Sequence, residues 1–379
     1  MFKRGIIILT LVLILIISGC NGWIQEQQEE IIEEIIPEQT QQETVIEETT
    51  TKEEIEEVPE EPKCSREFSP QFSSGSHYTG PLFDAHFHMP NLIDFSAFEG
   101  KDHTPPEEFN EHSDPILNNA LLDKILCNFD KENVIGVIGF VMGVEEALQE
   151  TLNAAKTIEE KSPEKINLFL MPTVFSIESL QDIEETNKGL FKGYGEMAFY
   201  HPSYAETPPD STEIGQIYKV AEKNNLIIMM HPSGRQETNV ENAVKTNPNV
   251  KFLIHGPEPE DYITSLMDKY PNVYYSLDAI LIRLDYPGAL LYTVKSKEEF
   301  KSRFGKNYDQ MMSEAINRWK SRIEKHPNKF MWGTDRSDPW TNDEEVSALL
   351  EEFARDFISR LDPVVQEKFA YQNAEKLVQ

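Results

Sequence analysis

The chain has 379 residues and a formal net charge of −31, room for two ordinary domains or one large one with appendages. The acid excess argues against a nucleic-acid partner, because phosphate-backbone binders need a basic footprint, and it offers no attraction to an anionic membrane surface. Much of the acid is local: Ile24 to Lys63 carries fifteen Glu against two Lys, a net −13.

Lys3 and Arg4 form a short basic start, and Gly5 to Ile17 is almost wholly aliphatic. That stretch has signal-peptide length and is too short to span a bilayer comfortably. Ile17-Ser18-Gly19-Cys20 follows and resembles a bacterial lipobox, in which small residues precede a Cys whose thiol accepts lipid. Residues 1–19 therefore read as a lipoprotein signal peptide. Cys20 is the expected lipidation site, anchoring the mature chain to the outer face of a membrane. Residues 20–63 read as the lipidated Cys plus a disordered, self-repelling acidic linker. Residues 64–80 are a Ser- and Gly-containing lead-in. Cys64 and Cys127 remain. An extracytoplasmic location permits them to pair, but sequence gives no distance, and two separate buried thiols fit equally well.

From Pro81 onward, short apolar runs alternate with segments of helical period. The runs are Leu82–Phe87, Val134–Val141, Leu168–Val174, Tyr194–Phe199, Leu226–Met230, Phe252–Ile254, Val273–Leu277 and Phe330–Gly333. They are continuous rather than alternating, as parallel strands buried on both faces require. Between the fourth and fifth, Ile214, Ile217, Tyr218 and Ala221 share one helical face, and Asn224-Asn225 closes the helix. In the last long helix Val346, Leu349, Leu350, Phe353 and Phe357 share a face, and Thr341 with Glu344 predicts a capping box. Eight strands alternating with helices over residues 81–379 predict a (β/α)8 barrel. A doubly wound sheet is the alternative, weakened because no Gly-rich phosphate loop follows the first strand. The long connections Met89–Asp130 and Asp278–Lys329 leave carboxyl ends of strands, where barrels build substrate-facing loops.

Of nine histidines, four fall at strand ends: His86 and His88 on the first, His231 after the fifth, His255 after the sixth. Glu196 ends the fourth run and Asp335 follows the eighth. A barrel converges all six on one rim. Residues two apart on a strand share a face, so His86 and His88 can hold one metal. Imidazole with carboxylate suits Zn or another first-row divalent ion. A metal acidifies water and polarises an electrophile while a carboxylate takes the proton, and Asp335 is the expected base. Arg235, Arg336 and Asp338 lie just past these positions, where they would bind a substrate carboxylate or phosphate or form loop salt bridges. His201 reads as a pocket residue or a loop residue. His77, His103, His112 and His326 lack strand context and read as surface residues. Met331 and Trp332 read as barrel packing.

Asp84-Ala85-His86-Phe87-His88, His231, His255 and Gly333-Thr334-Asp335 together resemble the amidohydrolase superfamily, its amidohydrolase-2 (amidohydrolase-related) branch most nearly and TatD-like deoxyribonucleases more distantly. The ending Lys368 to Leu377, with its Asn373-Ala374 pair, is similar to that family's C-terminal helix. The resemblance spans roughly Pro81 to Gln379 and implies a distorted (β/α)8 barrel holding one or two divalent ions. It implies His86, His88 and His231 as metal ligands, and Asp335 as ligand and base. It gives His255 a second metal or the polarising of substrate. The superfamily often bridges two metals with a carboxylated Lys on the fourth strand. That position holds Glu196 here, and Lys192 lies too early in the run. A bridging Glu196 favours two ions.

The expected activity is hydrolysis of an amide, lactone or ester in a small molecule. The family's non-oxidative decarboxylation is the alternative reaction. From a different class, a ligand- or metal-capturing lipoprotein fits the anchor and spacer but leaves the Asp335 base without a use. A position of Asp335 far from His86 and His88 would contradict the hydrolase reading.

Overall fold

The computed structural model describes residues 64–89, 119–141, 148–172, 176–200, 207–278, 296–336 and 339–379. The signal peptide, Cys20, the acidic linker, His103, His112, His201 and Asp338 lie outside the described residues.

Eight strands run in parallel in chain order: β1 (Leu82–His88), β2 (Val134–Val141), β3 (Ile166–Leu170), β4 (Gly193–Ala198), β5 (Ile227–His231), β6 (Lys251–Ile254), β7 (Val273–Leu277) and β8 (Phe330–Trp332). Helices follow them: α1 (Asn119–Lys131), α2 (Leu148–Lys161), α3 (Ile177–Thr186), α4 (Thr212–Asn224), α5 (Glu237–Thr246), α6 (Ile263–Lys269), α7 (Lys297–Lys325) and α8 (Glu344–Ser359). The short α9 (Pro363–Glu367), a π turn and α10 (Asn373–Val378) end the chain. This is the (β/α)8 barrel that the apolar runs predict.

Seven neighbouring pairs are hydrogen-bonded in register, from β1–β2 through β7–β8. The eighth seam is closed by the segment just past β8. Thr334 and Asp335 donate their N–H groups to the carbonyl of His86, at 3.3 and 2.8 Å, and His88 N–H donates to the carbonyl of Arg336 at 2.9 Å. Phe87 and Arg336 form an isolated parallel bridge there. The seam that closes the barrel is therefore also the place where two predicted site segments meet.

Two apolar layers hold the fold. The larger lies between sheet and helices and includes Leu82, Phe87, Phe129, Tyr194, Phe252, Trp319 and Phe357. The smaller fills the barrel with Phe83, Ala85, Phe140, Phe169, Met229, Leu253 and Met331. Burying each such side chain contributes about 1.5–3 kcal/mol before the entropy of ordering it. β1 carries a register shift between Asp84 and Phe87. It changes the phase of the strand, so that Phe83 and Ala85 face inward below the shift and His86 and His88 above it.

Ala374 and Leu377 of α10 pack into the inner cluster. Asn373 Nδ2 donates to the carbonyls of Pro327 and Phe330, and Lys251 Nζ to that of Leu377. Residues 327, 330 and 251 all lie where strands begin, so the terminal helix plugs the end of the barrel opposite the strand carboxyl ends. That is the physical use of the Asn373-Ala374 pair.

Two expectations move. The third strand runs Ile166–Leu170, not Leu168–Val174, because its register is pinned from Val137↔Ile166 to Val141↔Leu170 and Pro172 has no N–H to extend the ladder. Helix α8 is capped by Asp343, whose side chain accepts from Glu345 N–H, and not by Thr341. Thr341 is buried in the preceding 3-10 turn (Pro339–Asn342). Helix α4 ends as predicted, with Asn225 in the left-handed region.

The lead-in is fixed to this body. Cys64 and Cys127 form a disulfide, their Cα atoms 5.0 Å apart. Buried Glu352 accepts the N–H groups of Gln71, Phe72 and Ser73 at 2.7–2.9 Å. Arg355 Nη1 reaches the carbonyls of Tyr78 and Gly80, both at 2.9 Å. Among the described residues no helix is long and apolar enough to cross a membrane.

Candidate metal centre

Strand ends gather the predicted residues. His86 Nε2, His88 Nε2 and Asp335 Oδ1 form a triangle with sides of 3.2, 3.1 and 3.2 Å. Asp335 adopts φ 53°, the left-handed region, which Asp tolerates better than most residues. That turn, tied to His86 through the backbone, aims its carboxylate at the two imidazoles. The requirement that Asp335 lie beside the His86/His88 pair is met.

Glu196 is buried in the centre. Its Oε1 lies 2.7 Å from His255 Nε2 and 2.9 Å from His231 Nδ1, and its Oε2 lies 3.4 Å from His88 Nε2 and 3.8 Å from His86 Nε2. Among the described residues two groups have donors close enough to share an ion: His86, His88 and Asp335, and His86, Glu196 and His255. His231 belongs to neither. Its Nδ1 faces Glu196 and its Nε2 faces Glu258 at 3.0 Å, so both ring nitrogens already meet carboxylates.

Three residues that sequence reasoning passed over belong to the site. Asp278, immediately after β7, is buried with Oδ2 2.7 Å from His86 Nδ1 and 3.3 Å from His255 Nδ1. Its signal was its position one residue past a strand end. Glu258, three residues past His255, could be found only through the turn that brings it back to His231. Asp84 accepts Thr334 N–H, Thr334 Oγ1–H and His86 N–H at 2.5–3.0 Å. It buttresses the seam, although burial pushes its carboxyl up to about 7 against those hydrogen bonds and the Arg336 charge.

The remaining candidates separate. Arg336 is fully buried, its guanidinium paired with both oxygens of buried Glu132 at 3.0 and 3.1 Å. A substrate-binding role does not fit that placement: the side chain leaves the rim and runs between sheet and helices. Arg235 is exposed in the turn after β5, with φ 71°. Tyr200, half-exposed just past β4, sets its ring edge-on to His231 with centroids 4.5 Å apart. Phe140 packs edge-on against His86, at 5.0 Å, walling the inner side. Met331 and Trp332 are buried packing residues. His77 and His326 are partly buried rather than open to solvent.

The donor set fits a divalent cation. His86 Nδ1 lies 2.7 Å from Asp278 Oδ2, and with the ring proton on Nδ1 the Nε2 lone pair points at His88 Nε2 and Asp335. Two imidazole nitrogens and a carboxylate oxygen converge there. The electrostatics agree. Burial opposes charge on His88, yet hydrogen bonds to Asp335 and Glu196 hold its pKa up to about 10. Burial and the nearby His255 charge push His86 down. Burial would raise Glu196, but the His255 charge and the His231 and His255 hydrogen bonds carry it well below the usual carboxylate range. The carboxylates draw in positive charge, whether from protons or from a cation.

An eight-stranded barrel with imidazoles and carboxylates gathered at the strand ends defines a metal-dependent enzyme of the amidohydrolase type. The family model described as Amidohydrolase (Amidohydro_2) matches residues 83–379, and the chain belongs to that family. No curated protein matches the chain. Among solved structures, it is similar to an amidohydrolase from Burkholderia multivorans with bound zinc, at 12% identity over 79% of this chain and 99% of that one, TM-score 0.49. A putative amidohydrolase from Staphylococcus aureus gives 13% identity over 79% and 99%, TM-score 0.46. A dihydroxybenzoic acid decarboxylase from Polaromonas sp. JS666, with bound manganese and an inhibitor, gives 15% over 79% and 97%, TM-score 0.43.

Proposed function

We propose that the protein hydrolyses a C–N or C–O bond of a small molecule, an amide, lactone or ester, with one divalent metal held by His86, His88 and Asp335. The carrying observation is the triangle of His86 Nε2, His88 Nε2 and Asp335 Oδ1, with the far nitrogen of His86 tied to Asp278. Of the one or two ions expected, a single ion is favoured because, among the described residues, His86 belongs to both donor groups and the lone pair of its Nε2 serves one ion.

When bound, the cation supplies Lewis acidity, polarising the scissile carbonyl and acidifying water. Asp335 takes the proton of the attacking water at its carboxylate. Glu196 holds His231 and His255 facing the same space. The Tyr200 ring supplies an apolar wall at the mouth. Zinc suits the imidazole–carboxylate set best.

We also propose that the chain is an extracytoplasmic lipoprotein anchored through Cys20. The basic start, aliphatic run and Ile17-Ser18-Gly19-Cys20 support this, as does a disulfide, which persists in oxidising compartments. Loss of palmitate labelling in Cys20→Ala is the direct test, and retained labelling would refute the anchor.

The catalytic reading is tested on the full chain by elemental analysis and a substrate screen. About one equivalent of metal is expected. Amides, lactones, esters and carboxylated aromatics are offered with Zn2+ or Mn2+ supplied. No metal uptake would sink the site, and release of carbon dioxide from the aromatics without hydrolysis would move the reaction to decarboxylation.

A further inference from the structure

One buried carboxylate lies behind the metal triangle and joins two histidines from different strands. Asp278 Oδ2 is 2.7 Å from His86 Nδ1 and 3.3 Å from His255 Nδ1. Both rings are fully buried, perpendicular at 88°, with centroids 4.1 Å apart. On their other sides both Nε2 atoms face Glu196, at 3.8 Å from Oε2 and 2.7 Å from Oε1. The two imidazoles are thus gripped between Asp278 and Glu196.

Asp278 follows β7, and His86 is on β1, with β8 between them. Gly333, just past β8, lies between them. A Cβ there would press on Ser276 Oγ from β7 and on His86 Cβ from β1. The missing side chain lets β7 and β1 meet inside the barrel. Glycine at this point is required by close approach, since no positive φ is recorded for it.

We propose that Asp278 is a positioning residue for the metal centre: it fixes the tautomer and ring angle of His86, so that Nε2 presents its lone pair to the ion, and braces His255 against Glu196. The chemistry favours a carboxylate over a neutral acceptor. An ionised oxygen makes a stronger hydrogen bond to Nδ1–H and raises the basicity of the opposite nitrogen towards the metal. It cannot donate a proton back, so only one tautomer of His86 satisfies the contact. Of the two histidines His86 makes the closer contact, 2.7 Å against 3.3 Å for His255 Nδ1. The 3.3 Å contact therefore braces His255 without fixing its tautomer.

The inference rests on the metal reading above. The test is Zn2+ affinity of the full chain in detergent, measured by competition with a chromogenic chelator, for wild type, Asp278→Asn and Glu184→Gln. Glu184 is a buried carboxyl on α3 outside the site and controls for replacing a buried carboxyl with an amide. Asp278→Asn, near in size to Asp, is expected to weaken Zn2+ binding about 10- to 100-fold, with Glu184→Gln unchanged. The Co2+-loaded variant should show an altered visible spectrum. Wild-type affinity and an unaltered Co2+ spectrum in Asp278→Asn would overturn the proposal and leave the metal site standing. No uptake by wild type would overturn both. Should Asp278→Asn fail to fold, nitrogen-15 histidine ring spectra of the wild-type zinc form decide. An Nδ1–H tautomer at His86 is expected, and an Nε2–H tautomer there would refute the assignment.

Discussion

The backbone N–H of Asp335 donates to the carbonyl of His86 at 2.8 Å. This bond helps close the barrel between its first and last strands, and it sets the Asp335 carboxylate beside the two imidazoles of β1. Fold closure and assembly of the metal centre are the same event here, so the substitutions below separate chemistry from architecture.

Asp335→Asn keeps size, backbone and one potential ligand oxygen but removes the proton acceptor. It is expected to retain metal and to lose turnover by roughly 10²–10⁴-fold, the usual worth of a positioned acid or base. Metal analysis alongside rate on any substrate found in the screen checks this. Normal turnover would remove Asp335 from the base role.

Gly256 sits between the β6 histidine and its turn, with φ +93°. A Cβ there would collide with His231 Nε2 and crowd Glu258 Oε2. Gly256→Ala is expected to lose about 1 kcal/mol or more of stability from the backbone alone. It should also separate His231 from Glu258. An unchanged midpoint in chemical denaturation would contradict this account.

Arg336 and Arg235 should part ways. Removing Arg336 strands Glu132 as a buried charge, and Arg336→Met is expected to cost about 3–5 kcal/mol. Arg235→Ala, on the exposed turn, should leave stability within about 0.5 kcal/mol. Denaturation curves of both variants decide. A fully stable Arg336→Met would mean that the pair with Glu132 contributes little.

Glu184 gives a pH signature outside the metal centre. Burial raises its carboxyl from 4.5 to about 7, partly offset by the hydrogen bond from Tyr194. The folded state therefore holds this proton more tightly than the unfolded chain. The associated stability is full below about pH 4.5 and is lost as pH rises through about 7, on the order of 3 kcal/mol. The melting temperature of wild type should fall across that window relative to Glu184→Gln. Parallel profiles for the two proteins would contradict the shift.

The sequence by itself determined the barrel, because each strand is a short apolar run and each helix repeats its apolar face, patterns written in local order. It also determined that His86, His88, Glu196, His255 and Asp335 share a rim, since strand ends in a parallel barrel all point one way. What it could not contain were distances across the barrel. Cys64 and Cys127 gave no sign of whether they pair, and nothing in the turn after β6 showed Glu258 folding back onto His231. Arg336 looked like a rim residue because it follows Asp335, but the strand-like bridge to Phe87 turns its side chain outward to Glu132. Asp278 was one acid at the mouth of a long loop, and its 2.7 Å contact with His86 spans the barrel from the end of β7 to β1. These contacts join residues far apart in the chain through packing and closure, and only the assembled tertiary structure decides them.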